Sequence, residues 1–128
     1  MDYSISLVTW IKNFAKLIRA RDWIKNSFLF IPIFFSGELY NFEKLLNVVF
    51  AFIAFCLVSS AIYILNDYKD REEDKLHPFK KYRPLAAGVI NPTFALGLMA
   101  FMLLSGLIVG LLLPSWFILI LVTYALMN

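Results

Sequence analysis

Charge is what this chain lacks most. No Asp, Glu, Lys or Arg occurs anywhere from Leu85 to Asn128, and a second uncharged run covers Leu45 to Leu65. Charged residues make up 16% of the chain against 61% hydrophobic and 17% aromatic residues, far from the composition of a soluble globular domain, which these absences exclude. Cysteine is nearly missing too. Cys56 is the single thiol, so no internal disulfide can form, and its place within FAFCLVSS reads as a small buried apolar residue. The lone histidine, His77, precedes Pro78 and reads as a turn residue rather than a ligand or general base. No internal repeat, low-complexity tract or flexible linker divides the chain.

What is present is hydrocarbon-length apolar sequence. Inside lipid every backbone polar group must be satisfied within its own segment, so these runs are expected as helices. Spans are expected over 22–40, 45–65, 92–113 and 115–128, making an all-α, polytopic transmembrane bundle. The first span must begin near Asp22, because Ser27 to Phe35 alone is too short for a core of roughly 30 Å. Gly97, Gly106 and Gly110 allow close helix contact in the third. The fourth run is expected to give only about 22 Å of helix before Asn128, so the sequence reads as the N-terminal part of a longer protein.

The bases are unevenly placed. Lys12, Lys16, Arg19, Arg21 and Lys25 precede the first apolar run, six more lie in 66–84, and only Lys44 separates the first two spans. By the positive-inside rule, the N-terminus and the 66–84 loop face the cytoplasm. Within residues 1–21, Leu7, Trp10, Ile11, Phe14 and Leu17 or Ile18 recur at helical spacing opposite Lys12, Lys16 and Arg19. That is the pattern of an interfacial amphipathic helix, too long in its basic part for a signal peptide and without a small-residue cleavage site. A basic chain can also signal nucleic acid, but the 66–84 loop is short and acid-rich, and no nucleic-acid partner is expected.

NDYKDREEDKLHPFKKYRP, residues 66–84, concentrates five acids and six bases between two apolar runs. If Asn66 to Lys75 continues the second helix, Asp67, Asp70 and Asp74 project from one stripe, with Asn66 at its edge. Crowded carboxylates repel unless a cation compensates, and magnesium binds through one or two carboxylates plus phosphate oxygens. A phosphorylated substrate follows from that pattern. The other reading is a solvated helix end, with Asp67 and Arg71 paired at i, i+4 and Glu72 and Glu73 facing water. Lys80, Lys81 and Arg83 offer directed charge for phosphate, or they only fix topology. Lys25 and Asn26 fall within or beside the first span, where such groups either face a polar cavity or, for Lys25, snorkel to the interface.

NDYKDREED resembles the first aspartate-rich motif, N-D-x-x-D-x-x-x-D, of the UbiA superfamily of intramembrane polyprenyl transferases, with Asn66, Asp67, Asp70 and Asp74 filling every position. DWIKN and SSAIYILNDYKDREEDKLHPFKKYRPLAAG are similar to the bacterial branch that moves phosphoribosyl groups onto decaprenyl phosphate. Ala20 departs from the proline of that branch's R-P-x-x-W-x-K-N element. Leu76, His77 and Pro78 stand where aromatic-acceptor members carry an arginine-threonine element.

The resemblance implies a nine-helix bundle, about four helices of which lie in this chain, in the bacterial inner membrane, with a second acidic motif on a later loop. It implies Mg2+ held by Asp67, Asp70 and Asp74, which also serve as the catalytic aspartates. The reaction implied is transfer of 5-phosphoribosyl from phosphoribosyl diphosphate to a polyprenyl phosphate. Asn66 would fix the cluster; Lys80, Lys81 and Arg83 would meet substrate phosphates; Lys25 and Asn26 would meet the lipid phosphate or diphosphate. The alternatives are a prenyltransferase joining a polyprenyl diphosphate to an aromatic acceptor, and a non-catalytic truncated membrane protein.

Overall fold

The computed structural model describes residues 3–127, with side chains from Leu7 onward; residues 1, 2 and 128 of the expected end segments lie outside it. Every regular element among the described residues is helical, and none is a strand. Helix α1, Tyr3–Ile18, turns Phe14, Leu17 and Ile18 toward the interior. Leu7 and Ile11, on the same apolar face, stay exposed. The helix ends at Arg19, whose backbone adopts the left-handed conformation (φ 52°, ψ 48°) and starts a new direction.

A 3-10 helix, Ala20–Phe30, follows and leads into the short α2, Ile31–Phe35. Eleven residues is long for this tighter helix, but its greater rise has a consequence: residues 20–35 together reach roughly 30 Å, the thickness of a hydrocarbon core. Two bonds tie this segment to the next helix, and a third ties that helix to the end of α1. Trp23 Nε1 donates to Ser60 Oγ at 2.8 Å, Ser60 Oγ donates to the carbonyl of Ile18 at 2.5 Å, and Asn26 Nδ2 donates to Cys56 Sγ at 3.5 Å. Each buried polar group on this seam therefore has a partner.

Helix α3, Phe42–Lys69, is the central element. Asn41 caps it by accepting from the Lys44 amide at 3.3 Å, and a Lys44–Glu38 ion pair closes the turn before it. Past Asp70 the chain makes a single-turn α4, Arg71–Asp74, then a 3-10 turn at Lys80–Tyr82 and the short α5, Pro84–Ala87. Helix α6, Pro92–Leu111, starts on an Asn91 cap with proline at its first position and lies along α3 as its principal partner. Gly106 sits where a Cβ would stand 2.8 Å from Val58 Cγ2, so the two backbones approach as closely as only glycine permits.

Helix α7, Ser115–Met127, folds back after Pro114. Phe117 and Leu121 bury against Ala54, Phe55 and Val58, with Phe55 against the rings of Phe117 and Tyr124 at 5.7 and 5.0 Å. Helices α3 and α6 are each long and apolar enough to cross a membrane, and the outer face of α6 leaves Phe101, Leu104, Ile108 and Leu111 exposed, as lipid contact requires. A second core joins Leu17, Ile18, Ala61, Ile64, Leu85 and Ala95, and fixes α1 and α5 at the charged end of α3.

Candidate functional site: an arginine-bridged aspartate pair

Ile64 and Asp67 lie one turn apart on the same face of α3, and both are buried, at 0% and 2% exposure. The apolar face that packs the core thus runs on into a carboxylate, which needs charged partners at such depth. It has two. Arg19 Nη2 donates to Asp67 Oδ1 at 2.7 Å, and Arg83 Nη1 lies 3.4 Å from the same oxygen. Arg83 Nη1 also donates to Asp74 Oδ2 at 3.1 Å, and Asp74 is 4% exposed. Two buried carboxylates and two guanidinium groups form one charge-balanced network.

Local structure explains how residues so distant in sequence meet. The left-handed backbone at Arg19 redirects the chain at the end of α1, and its guanidinium also stacks over the Tyr63 ring, 4.4 Å from the centroid. Arg83 immediately precedes α5, whose Leu85 and Ala86 are buried and anchor it. Past Lys69 the α3 geometry breaks at Asp70 (φ −92°, ψ 2°), while the Asp74 amide still reaches the Asp70 carbonyl at 2.8 Å. That break leaves Asp70 exposed while Asp74 returns to the Asp67 side.

Beside the network lies a cavity of about 460 Å³, lined by Lys16, Arg19, Arg21, Asp22, Asp67 and Arg83 with Phe79, Tyr82 and other neighbours. Four cations face two carboxylates there, a surplus that suits a polyanion.

The expected site residues separate on this map. Asp67, Asp74 and Arg83 are brought together, and Asp70 is not part of that group. Asn66 is half-buried, and its carbonyl accepts from the Asp70 amide at 2.9 Å. Lys80 and Lys81 are exposed and do not line the cavity; Lys81 lies 5.2 Å from the Tyr82 ring centroid. Lys25 extends outward at 75% side-chain exposure, 3.3 Å from Asp22. Asn26 is buried on Cys56 rather than facing the cavity.

Arg71, the possible i, i+4 partner of Asp67, instead donates to the Tyr68 carbonyl at 2.6 Å and covers the Tyr68 ring. Glu72 and Glu73 do face water, Glu72 paired with Lys75 at 3.0 Å. His77 Nδ1 accepts from the amides of Phe79 and Lys80, both at 3.1 Å, the work of a turn residue.

By sequence alone, Lys16, Arg19 and Arg21 carry only a topological role. The signal that could have singled out Arg19 is its position as the arginine of the R-x-x-x-W-x-K-N pattern, in which Trp23 fixes the segment to α3.

Among the described residues no group of three or more His, Cys, Asp or Glu side chains converges as a metal-ligand set. Asp67 and Asp74 nevertheless meet at one guanidinium nitrogen. Magnesium characteristically takes one or two carboxylates and completes its shell with water and phosphate oxygens. This donor pair fits such an ion.

The UbiA prenyltransferase family model matches residues 28–127. A decaprenyl-phosphate phosphoribosyltransferase from Mycolicibacterium smegmatis is 35% identical over 104 residues, covering 78% of this chain and 33% of that protein. One from Corynebacterium glutamicum is 39% identical over 93 residues, covering 68% and 28% respectively. A protoheme IX farnesyltransferase from Leptospira biflexa is 55% identical over 40 residues, 31% of this chain and 14% of that protein. The chain spans a third or less of the length of these curated relatives.

Proposed function

This chain belongs to the UbiA prenyltransferase family, and from that premise we propose that the whole protein transfers a 5-phosphoribosyl group from phosphoribosyl diphosphate to a polyprenyl phosphate in the bacterial inner membrane. The observation that carries this reading is the buried Asp67–Arg83–Asp74 network opening on a cavity with a cationic surplus. An aromatic acceptor such as 4-hydroxybenzoate brings one carboxylate and does not give so much positive charge a use beyond a single diphosphate. Two phosphorylated substrates do.

The difficult step in such a transfer is departure of diphosphate from the anomeric carbon, which builds positive charge on the ribose and negative charge on the leaving oxygens. Magnesium, held by Asp67 and Asp74 with Asp70 from the adjoining turn, would supply Lewis-acid neutralisation of that leaving group. Arg83 and Arg19 hold diphosphate oxygens through paired N–H donors, which Arg does better than Lys because its fork is planar. Lys16 and Arg21 extend the same electrostatic surface toward the 5-phosphate. Asn66 steadies the turn that carries Asp70, and Lys25, exposed on the 3-10 segment, meets the lipid phosphate at the interface. Lys80 and Lys81 steer phosphorylated substrate toward the loop from outside the cavity. The positive-inside pattern puts this whole face, with the N-terminus and residues 66–84, in the cytoplasm.

A second reading, prenyl transfer from a polyprenyl diphosphate to an aromatic acceptor, draws on the short but close similarity to the farnesyltransferase. Membranes bearing the full-length protein separate the two. Labelled phosphoribosyl diphosphate with polyprenyl phosphate is expected to give labelled lipid. Labelled prenyl diphosphate with 4-hydroxybenzoate is expected to give no product, and the opposite pattern would overturn the phosphoribosyl reading.

A further inference from the structure

We propose that Arg19 and Arg83 act as exchangeable counter-ions, occupying the Asp67–Asp74 carboxylates until a diphosphate takes the arginines and leaves those carboxylates to a divalent cation. This rests on the function proposed above, and it gives Arg19 a positioning role in admitting metal and phosphate together.

Asp67 and Asp74 are 2% and 4% exposed, and Arg19 and Arg83 neutralise them one for one. A divalent ion entering this buried group with both guanidinium groups in place would leave two uncompensated positive charges. Interactions between charges are strong where water is scarce, and uncompensated charge there is costly. A metal alone is therefore excluded by the arginines, and a diphosphate alone meets the carboxylates. Only the pair, arriving together, keeps the site near neutral.

The geometry makes the exchange local. Arg19, Arg83 and Asp67 all line the cavity, so the guanidinium groups already border the space a diphosphate would fill. Their side chains are 27% and 30% exposed, enough for reorientation without unpacking a helix. Arg83 holds Asp67 and Asp74 through the single nitrogen Nη1, so its departure frees Asp74 and leaves Asp67 to Arg19 alone. Arg19 is retained near the site by its stack on Tyr63 and by the left-handed backbone that aims it. Non-glycine residues hold that conformation only where surrounding contacts enforce it.

The test is direct Mn2+ binding, followed by electron paramagnetic resonance, to the purified full-length protein with and without inorganic diphosphate. Wild type is expected to bind Mn2+ at least about tenfold more tightly when diphosphate is present, the linkage expected of sites that share counter-ions. Arg19→Gln is expected to tighten Mn2+ binding in the absence of diphosphate and to shrink that ratio. Arg83→Gln is expected to do the same, which keeps the test available should one variant fail to fold, and Arg19→Lys, which preserves the charge, is expected to retain most of the ratio. Equal Mn2+ affinity with and without diphosphate in wild type, or unchanged metal-alone affinity in both glutamine variants, overturns the exchange. Failure of Asp67→Asn to weaken Mn2+ binding in the presence of diphosphate would instead overturn the underlying metal reading.

Discussion

Gly106 offers a quantitative probe of the framework that holds Asp67 in place. A Cβ added there would meet Val58 Cγ2 at 2.8 Å, Leu57 Cβ at 3.1 Å and the Ala54 carbonyl oxygen at 3.2 Å. None of these neighbours can swing aside. Val58 is β-branched and fully buried, Leu57 Cβ is fixed to the α3 backbone, and the carbonyl belongs to the helix itself. Carbon atoms prefer about 3.5–4.0 Å, so α6 would have to withdraw from α3 by roughly 0.7–1.2 Å. Overpacking of this kind costs about 1–3 kcal/mol, while replacing a helical glycine by alanine returns about 0.5–1 kcal/mol.

Gly106→Ala is therefore expected to destabilise the full-length protein by about 1–2 kcal/mol, with Gly106→Val worse. Gly97 is the internal control, because nothing lies within 4 Å of its added Cβ, and Gly97→Ala is expected to be neutral or stabilising. Reversible unfolding in mixed detergent micelles reads both. Gly106→Ala as stable as wild type would refute the close approach of α3 and α6.

Other substitutions probe the seams and the cavity. Trp23→Phe removes the 2.8 Å bond to Ser60 and is expected to lower stability by about 1 kcal/mol in the same unfolding assay, since Ser60 keeps its bond to the Ile18 carbonyl. Arg83→Gln should raise KM for phosphoribosyl diphosphate at least about tenfold in steady-state assays. The double change Lys80→Ala, Lys81→Ala should raise it less than about threefold, because both residues are exposed and outside the cavity lining. The reverse ranking would relocate the phosphate site. Asp70→Asn should depress turnover while leaving the unfolding midpoint unchanged, because Asp70 is exposed and outside the buried network; a lowered midpoint would show a structural role instead.

The sequence discloses the helical class because it is written in strong, simple signals. The uncharged run 45–65 lies inside α3, and the uncharged run 85–128 contains α6 and α7. The 3-10 form of Ala20–Phe30 was not legible, since apolar spacing does not report rise per residue. The acidic motif was legible as a motif but not as a shape. Helical spacing placed three aspartates on one stripe, whereas the break at Asp70 separates it from Asp67 and Asp74. The pairing of Arg19 with Asp67 was hidden for another reason. Forty-eight residues separate them in sequence, and nothing local to either announces the left-handed turn that brings them together.

The most direct test of the proposed role of the acidic face is turnover by Asp67→Asn in the full-length protein, measured as labelled phosphoribosyl entering lipid at saturating substrate. The change keeps the side chain's size and removes its charge, and the unfolding midpoint measured alongside separates lost chemistry from lost folding. If Asp67 has that role, turnover falls at least about a hundredfold, the scale of losing a main electrostatic stabiliser of the leaving group. Turnover within about threefold of wild type, from folded protein, would contradict it.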